Sequence, residues 1–117
     1  MYKILLYHNR KGESPIEEYL KKLSKSKIKS DRIKLSKIQD YIKMLKRYGI
    51  SAGMPYIKHI DGDIWELRPA KDRIFFVAYV DRQYVLLHAF TKKTRKTPPR
   101  EIEKAKREWE EFKKGVK

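Results

Sequence analysis

The sequence has no cysteine, which excludes disulfides, thiolate zinc sites and thiol nucleophiles and permits a reducing cytosol. Acidic residues are scarce beside basic ones, 15 Asp and Glu against 30 Lys and Arg, for a formal net charge of +15. Only five glycines occur, and none builds a glycine-rich phosphate loop. No apolar run approaches the roughly 18 residues that a membrane span needs. The opening stretch Met1–His8 is too short and too interrupted for a secretory signal. The three histidines, His8, His59 and His88, are scattered rather than clustered, so neither a metal nor a cofactor is expected. No serine falls in the sheet-forming region, which leaves a serine nucleophile unsupported.

What remains is a chain of 117 residues, 40% hydrophobic and 38% charged. That length suits one domain over residues 1–117 with one modest core. Basic residues run through the whole chain rather than forming a tail, so the domain itself carries a positive field that favours a polyanion. A membrane surface is the weaker partner, because no basic stretch carries a large continuous apolar face.

Punctuation and periodicity predict an α+β domain. Tyr2 to Tyr7 reads as a short strand, apolar at nearly every position. Ser14-Pro15-Ile16-Glu17 is a helix start, with a serine cap and a proline in the first turn. Ile16, Tyr19, Leu20 and Leu23 form one face of that helix. A longer helix over Asp31–Tyr48 carries an apolar seam at Leu35, Ile38, Ile42 and Leu45, and Gly49 ends it. Together the two helices predict an antiparallel hairpin. Four short runs follow, Tyr56–Ile60, Ile64–Arg68, Arg73–Val80 and Gln83–Thr91, and their short connections require an antiparallel meander. Thr97-Pro98-Pro99 opens a last helix to about Lys114, striped by Ile102, Ala105, Trp109, Phe112 and Val116.

Turn lengths suggest a register. They place Ile60 opposite Ile64, Arg68 opposite Arg73, Val80 opposite Gln83, and hence Phe76 opposite Leu87 and Phe75 opposite His88. Directly opposed residues share a face. One face then collects Ile57, His59, Trp65, Leu67, Ile74, Phe76, Ala78, Val80, Val85, Leu87 and Ala89, a bed for the helical hairpin in which His59 reads as an anchored packing residue. The other collects Lys58, Glu66, Arg68, Arg73, Phe75, Val77, Tyr79, Tyr84, Leu86, His88, Phe90 and Lys92.

On that second face Arg68 and Arg73 are like charges directly opposed, an unfavourable pair unless an anion lies between them. A phosphate over Arg68, Arg73, Lys58 and Lys92 would meet forked and point charges together. The competing reading is that Glu66 neutralises the arginines and the face is merely solvated. The loop Thr91–Arg100 extends the basic surface with Lys92, Lys93, Arg95, Lys96 and Arg100. Phe75 and Tyr79 add aromatic surface, so Lys93, Arg95, Lys96, Arg100, Tyr79 and Phe75 are the candidates for contacting RNA. The chemistry these residues suit is metal-free cleavage in which the RNA 2′-hydroxyl attacks the adjacent phosphorus and leaves a 2′,3′-cyclic phosphate. Arg68 and Arg73 would stabilise the crowded phosphorane, and His88, Lys58 or Lys92 would move protons.

Three stretches, Tyr56–Ile60, Ile64-Trp65-Glu66-Leu67-Arg68-Pro69 and Asp72–Phe76, followed by Val85–Thr94 and Lys96–Ile102, resemble the HigB-type, phage-related branch of the RelE/ParE toxins. The similarity extends over essentially the whole chain. It implies a small antiparallel sheet, an N-terminal strand plus a four-strand meander, with a two-helix hairpin on one face and a C-terminal helix. It also implies the cytoplasmic toxin of a type II toxin–antitoxin pair, an mRNA endonuclease acting at the ribosome. Its expected partner is a HigA-like helix-turn-helix antitoxin, through which alone it would meet DNA. By position, Arg68, Arg73 and Lys92–Lys93 match the family's basic residues. Some members use a C-terminal tyrosine or histidine in catalysis, and this chain ends in a charged helix without either. The general base is therefore open among His88, Lys58, Lys92 and Tyr79. The last helix is either packed with Trp109 and Phe112 over part of the cationic face or set to hold the antitoxin. A ParE-like gyrase inhibitor and a non-catalytic RNA or ribosome binder are the alternatives to the nuclease.

Overall fold

A computed structural model describes residues 1–115. The element order is β1 (Lys3–Leu6), α1 (Pro15–Lys25), α2 (Lys29–Tyr48), a short 3-10 turn (Gly49–Ala52), β2 (Ile57–Asp61), β3 (Ile64–Leu67), β4 (Asp72–Tyr79), β5 (Gln83–Thr91) and α3 (Pro99–Gly115). The chain is α+β, with one five-stranded sheet in the order β1-β5-β4-β3-β2. The meander β2 to β5 is antiparallel as expected, but β1 joins β5 in parallel. The sheet is therefore mixed rather than antiparallel. A parallel neighbour needs a long connection to carry the chain back, and the α1–α2 hairpin lies within the stretch that separates these two strands.

The first helix begins as its sequence suggests: Ser14 caps α1, its hydroxyl accepting from the Glu17 amide at 3.2 Å. Ile16 and Leu23 of α1 and Ile38 and Leu45 of α2 are buried against Ile57, Leu67, Ile74 and Phe76 of the sheet. Gly49 ends α2 at φ +63, where a Cβ would lie 2.6 Å from the Tyr84 hydroxyl and 2.7 Å from the Tyr2 ring. Gly49→Ala therefore combines a left-handed backbone with a steric clash. A loss of about 2 kcal/mol is expected, read as a fall in thermal midpoint of roughly 10 °C for a domain of this size.

The second face of the sheet is not open. Phe75, Val77, Val85 and Leu87 form a second core with Ala105 and Trp109 of α3, and Ile102 and Phe112 pack against it. The fold thus has three layers, hairpin, sheet and α3. Of the expected α3 stripe, Val116 lies outside the described residues.

Two irregularities correct the expected register. Tyr79, not Val80, pairs with Gln83, so the β4–β5 turn holds three residues, with Asp81 at φ 54 and Arg82 at φ 59. A bulge follows between Phe75 and Phe76, and beyond it Phe75 pairs with His88 as expected. Between turn and bulge Phe76 faces Leu86, not Leu87. Tyr84 and Leu86 accordingly join the hairpin core, and Val85 and Leu87 join the α3 core. Ala78 and Val80, assigned to the apolar bed, are exposed. A second bulge near Ile60 pairs Asp61 with Ile64. His59 does oppose Trp65, but this edge position leaves it exposed, bonded to the Gly62 carbonyl at 2.7 Å.

Candidate functional site

The candidate site lies where β3 hands over to β4. The connecting turn places Ala70 at φ 54, and the Arg73 Nη1 donates to the carbonyls of Ala70 at 2.8 Å and Asp72 at 2.7 Å. These carbonyls fix one arm of a buried guanidinium. Arg68 follows β3, its amide donating to the Tyr56 carbonyl at 2.9 Å. Between the two arginines sits Glu66, 1% exposed. A single oxygen, Glu66 Oε2, lies 3.3 Å from Arg68 Nε and 3.7 Å from Arg73 Nε. The other oxygen, Oε1, is buried without a hydrogen-bond partner, and neither Nε makes a well-formed hydrogen bond.

One carboxylate therefore serves two guanidiniums, which leaves a surplus positive charge. Burial raises the Glu66 carboxyl above its usual pKa, and Arg73, Arg68, Lys92 and Lys58 pull it back in that order. Burial likewise lowers Arg73, with Glu66 opposing. All four basic residues expected around one phosphate thus act on the same buried carboxylate. Arg68 and Arg73 open into a cleft of ≈ 260 Å³, lined also by Lys37, Tyr41, Pro55 and Ala70. The Tyr41 ring meets Tyr56 edge-on at 5.6 Å, and the Arg68 Nη1 lies 3.3 Å from the Met54 sulfur. Forked donors with a surplus charge can hold a phosphate, or the doubly charged oxygens of a phosphorane, without a metal.

Other expected site residues are elsewhere. His88 shares a row with Phe75 and Glu66 but is 1% exposed beneath α3. Its Nδ1 lies 2.5 Å from Glu108 Oε1 and its Nε2 lies 3.0 Å from Glu101 Oε1. Held at both nitrogens, it ties α3 to the sheet and is closed to a substrate. Phe75 is 0% exposed, so it offers no ring to a base. Tyr79 packs edge-on against Phe112 at 5.3 Å and Trp109 at 6.0 Å. Lys58, Lys93, Arg95, Lys96 and Arg100 are exposed and Lys92 is half-buried, so the basic loop remains available. Lys37 and Tyr41 join the site without being expected there. Their spacing of four puts them on one flank of α2, beside the apolar seam, which is the only sequence signal for them. Glu101 and Glu108, two helical turns apart and flanking the apolar stripe of α3, carry the stronger signal of charges awaiting a buried partner.

The Glu66 pKa sets a pH dependence. A carboxyl raised by folding contributes stability below its unfolded pKa and loses that contribution as pH rises through the folded value. Above that raised value the ionised Glu66 thus costs stability and competes with any bound anion. Phosphate or RNA affinity is expected to rise as pH falls through the raised Glu66 pKa. Glu66→Gln should remove that dependence and tighten binding severalfold above that pKa, because the neutral amide no longer competes with the anion for the two arginines. Isothermal titration across pH checks both.

A mixed sheet with a helical hairpin on one face, a C-terminal helix on the other and a cationic cleft at one end is the RelE-like α+β fold. Residues 18–110 match the model of the family described as "Phage derived protein Gp49-like (DUF891)", and the chain belongs to that family. It is a family of RelE/HigB-like toxins, and a toxin of a toxin–antitoxin pair has an antitoxin partner. No curated protein matches the chain. Among the described residues no helix is long and apolar enough to cross a membrane.

Proposed function

We propose that this chain is a HigB-type toxin that cleaves mRNA at the ribosome without a metal ion. The observation that carries the reading is the pair of guanidiniums sharing one buried carboxylate oxygen, with Lys58 and Lys92 in the same field. An RNA strand laid along the cleft places a phosphate against Arg68 and Arg73. Its 2′-oxygen then attacks phosphorus and loses its proton to a base, and the 5′-oxygen leaves with a proton from an acid. The products are a 2′,3′-cyclic phosphate and a 5′-hydroxyl. The arginines bind the extra negative charge of the phosphorane, where fixed donors have their largest effect. Lys58 and Lys92 are the candidates for moving protons, since His88 and Tyr79 are packed under α3. The exposed Lys93, Arg95, Lys96 and Arg100 track the flanking strand electrostatically.

On this reading the protein works in the cytoplasm, its partner is a HigA-like helix-turn-helix antitoxin, and it meets DNA only through that antitoxin. Expression in a host followed by 5′-end mapping on translated messages tests the reading. Cuts in register with codons, absent from untranslated RNA, are expected. Growth arrest with a DNA-damage response and no cuts would instead mark a gyrase inhibitor.

A further inference from the structure

The cationic cleft does not end at Arg73. Lys37 and Ala70, which line it, also line a second depression of ≈ 340 Å³ along α2. Ser30, Ile33 and Lys37 recur at three and four on one flank of α2 and form one side of it. Pro69, Ala70 and Lys71 of the β3–β4 turn form the other. Ile33 is 60% exposed, an apolar side chain in the wall of a groove where folding gives it nothing to cover. Lys37 and Lys71 stand exposed at the edges.

The two sides are held at a fixed spacing. The Asp72 amide closes the turn on the Pro69 carbonyl at 2.9 Å, and the Lys92 amide pins it to β5 through the Lys71 carbonyl at 2.8 Å. Beneath the groove the buried Asp72 accepts through Oδ1 from the Tyr19 hydroxyl at 2.7 Å and the Thr91 hydroxyl at 3.0 Å, and it lies 3.1 Å from Lys34 Nζ. That cluster joins α1, α2, β4 and β5, and Lys34 neutralises Asp72 within it. The groove is therefore preformed, so binding need not first order its walls.

We infer that this groove is where the antitoxin docks, through an acidic amphipathic helix laid along α2; the inference rests on the family's antitoxin partner and not on the nuclease mechanism. The apolar side chains of that helix would pack against Ile33, Pro69 and Ala70, and its carboxylates would meet Lys37 and Lys71, a helix-in-groove mode of recognition. A chain of net charge +15 selects a partner of opposite sign. RNA is the weaker occupant. Bases stack on aromatic rings or guanidinium planes, and the described residues that line the groove include neither.

The probe is the product of the adjoining reading frame that relieves growth arrest on co-expression, its affinity for the full purified chain measured by surface plasmon resonance. Ile33→Glu and Lys71→Glu, both at exposed positions, are each expected to weaken the complex about tenfold or more, as loss of a central interface contact does. Growth arrest by either variant alone should persist. Val80→Glu alters an equally exposed apolar position at the other end of β4 and should leave the affinity unchanged. Wild-type affinity in both groove variants would overturn the docking surface and leave the nuclease reading standing. Weakened complexes from a chain that cuts no RNA would keep the docking surface and defeat the nuclease reading. Variants that lose RNA affinity but keep the antitoxin's would assign the groove to RNA. A wild-type dimer that Ile33→Glu dissociates, with the antitoxin still bound at full affinity, would assign it to a second copy. Either of these last two results overturns the proposal.

Discussion

Arg68→Ala is expected to abolish growth arrest and to slow RNA cleavage at least about a hundredfold, the usual loss when one preorganised donor to a developing oxyanion is removed. Circular dichroism should find the variant folded. Arg68 follows β3 rather than sitting in it, its guanidinium holds no backbone carbonyl, and Glu66 keeps Arg73 as a counter-charge. Arg73 is a different case. Its Nη1 fastens the β3–β4 turn through the carbonyls of Ala70 and Asp72, so Arg73→Ala should lose activity and some stability together. Arg73→Lys separates the two roles, because an ammonium keeps the charge and loses the fork. It should remain folded with cleavage still down at least about tenfold. Full activity in Arg68→Ala would remove the site from the mechanism.

His88→Phe is expected to cost about 3 kcal/mol in urea unfolding, because it leaves two largely buried carboxylates without their hydrogen-bond partner. The side chain sits between Glu101 and Glu108, whose carboxylates have side-chain exposures of only 19% and 8%. Phenylalanine keeps the edge-on packing with Phe75 but makes no hydrogen bond to Glu101 or Glu108. The loss should fall on α3 first, so Trp109 emission should move to the red before the helical signal is lost. Adding Glu101→Leu and Glu108→Leu to His88→Phe should recover most of the stability, since apolar replacement of a whole buried charged group is often neutral. Wild-type stability in His88→Phe alone would mean the two carboxylates are solvated and α3 is held by its apolar stripe.

Much of this architecture is written in local sequence. The α1 cap at Ser14, the α2 seam and all four meander strands follow from spacing and turn residues, because each is decided by neighbours within a few positions. Arg68, Arg73, Glu66, Lys58 and Lys92 come together as their alternation predicts, since the pairings Lys58–Glu66 and Phe75–His88 are both correct. The second pairing is correct for a compensated reason: a turn one residue longer than its sequence suggests is offset by the bulge beside Phe76. The β5 positions in that stretch are therefore reversed, which sends Tyr84 and Leu86 to the hairpin and Val85 and Leu87 to α3, while Phe76 and Val77 of β4 keep their expected faces. No local pattern sets a bulge; here Tyr84 is drawn to the hairpin side by the Ile50 amide, which its hydroxyl receives at 3.0 Å, and by the Tyr2 ring. The docking of α3 is half legible. Its stripe leaves two surfaces open, the second sheet face or an antitoxin, and the structure packs Trp109 and Phe112 on that sheet face, where the buried His88 also anchors the helix. Phe75 and His88 consequently belong to the core, and the aromatic ring that lines the arginine cleft is Tyr41 of α2, with Tyr56 edge-on to it.

The central claim is that one buried carboxylate leaves two arginines with positive charge to offer an RNA phosphate. Its most direct test is the salt dependence of single-stranded RNA binding by the wild-type chain and the Arg68→Ala/Arg73→Lys double variant. Logarithm of affinity against logarithm of salt should be less steep in the variant by about 0.7 for each phosphate it no longer neutralises, with weaker binding at low salt. Parallel lines of equal affinity would contradict the claim and leave the arginines as partners of Glu66 alone.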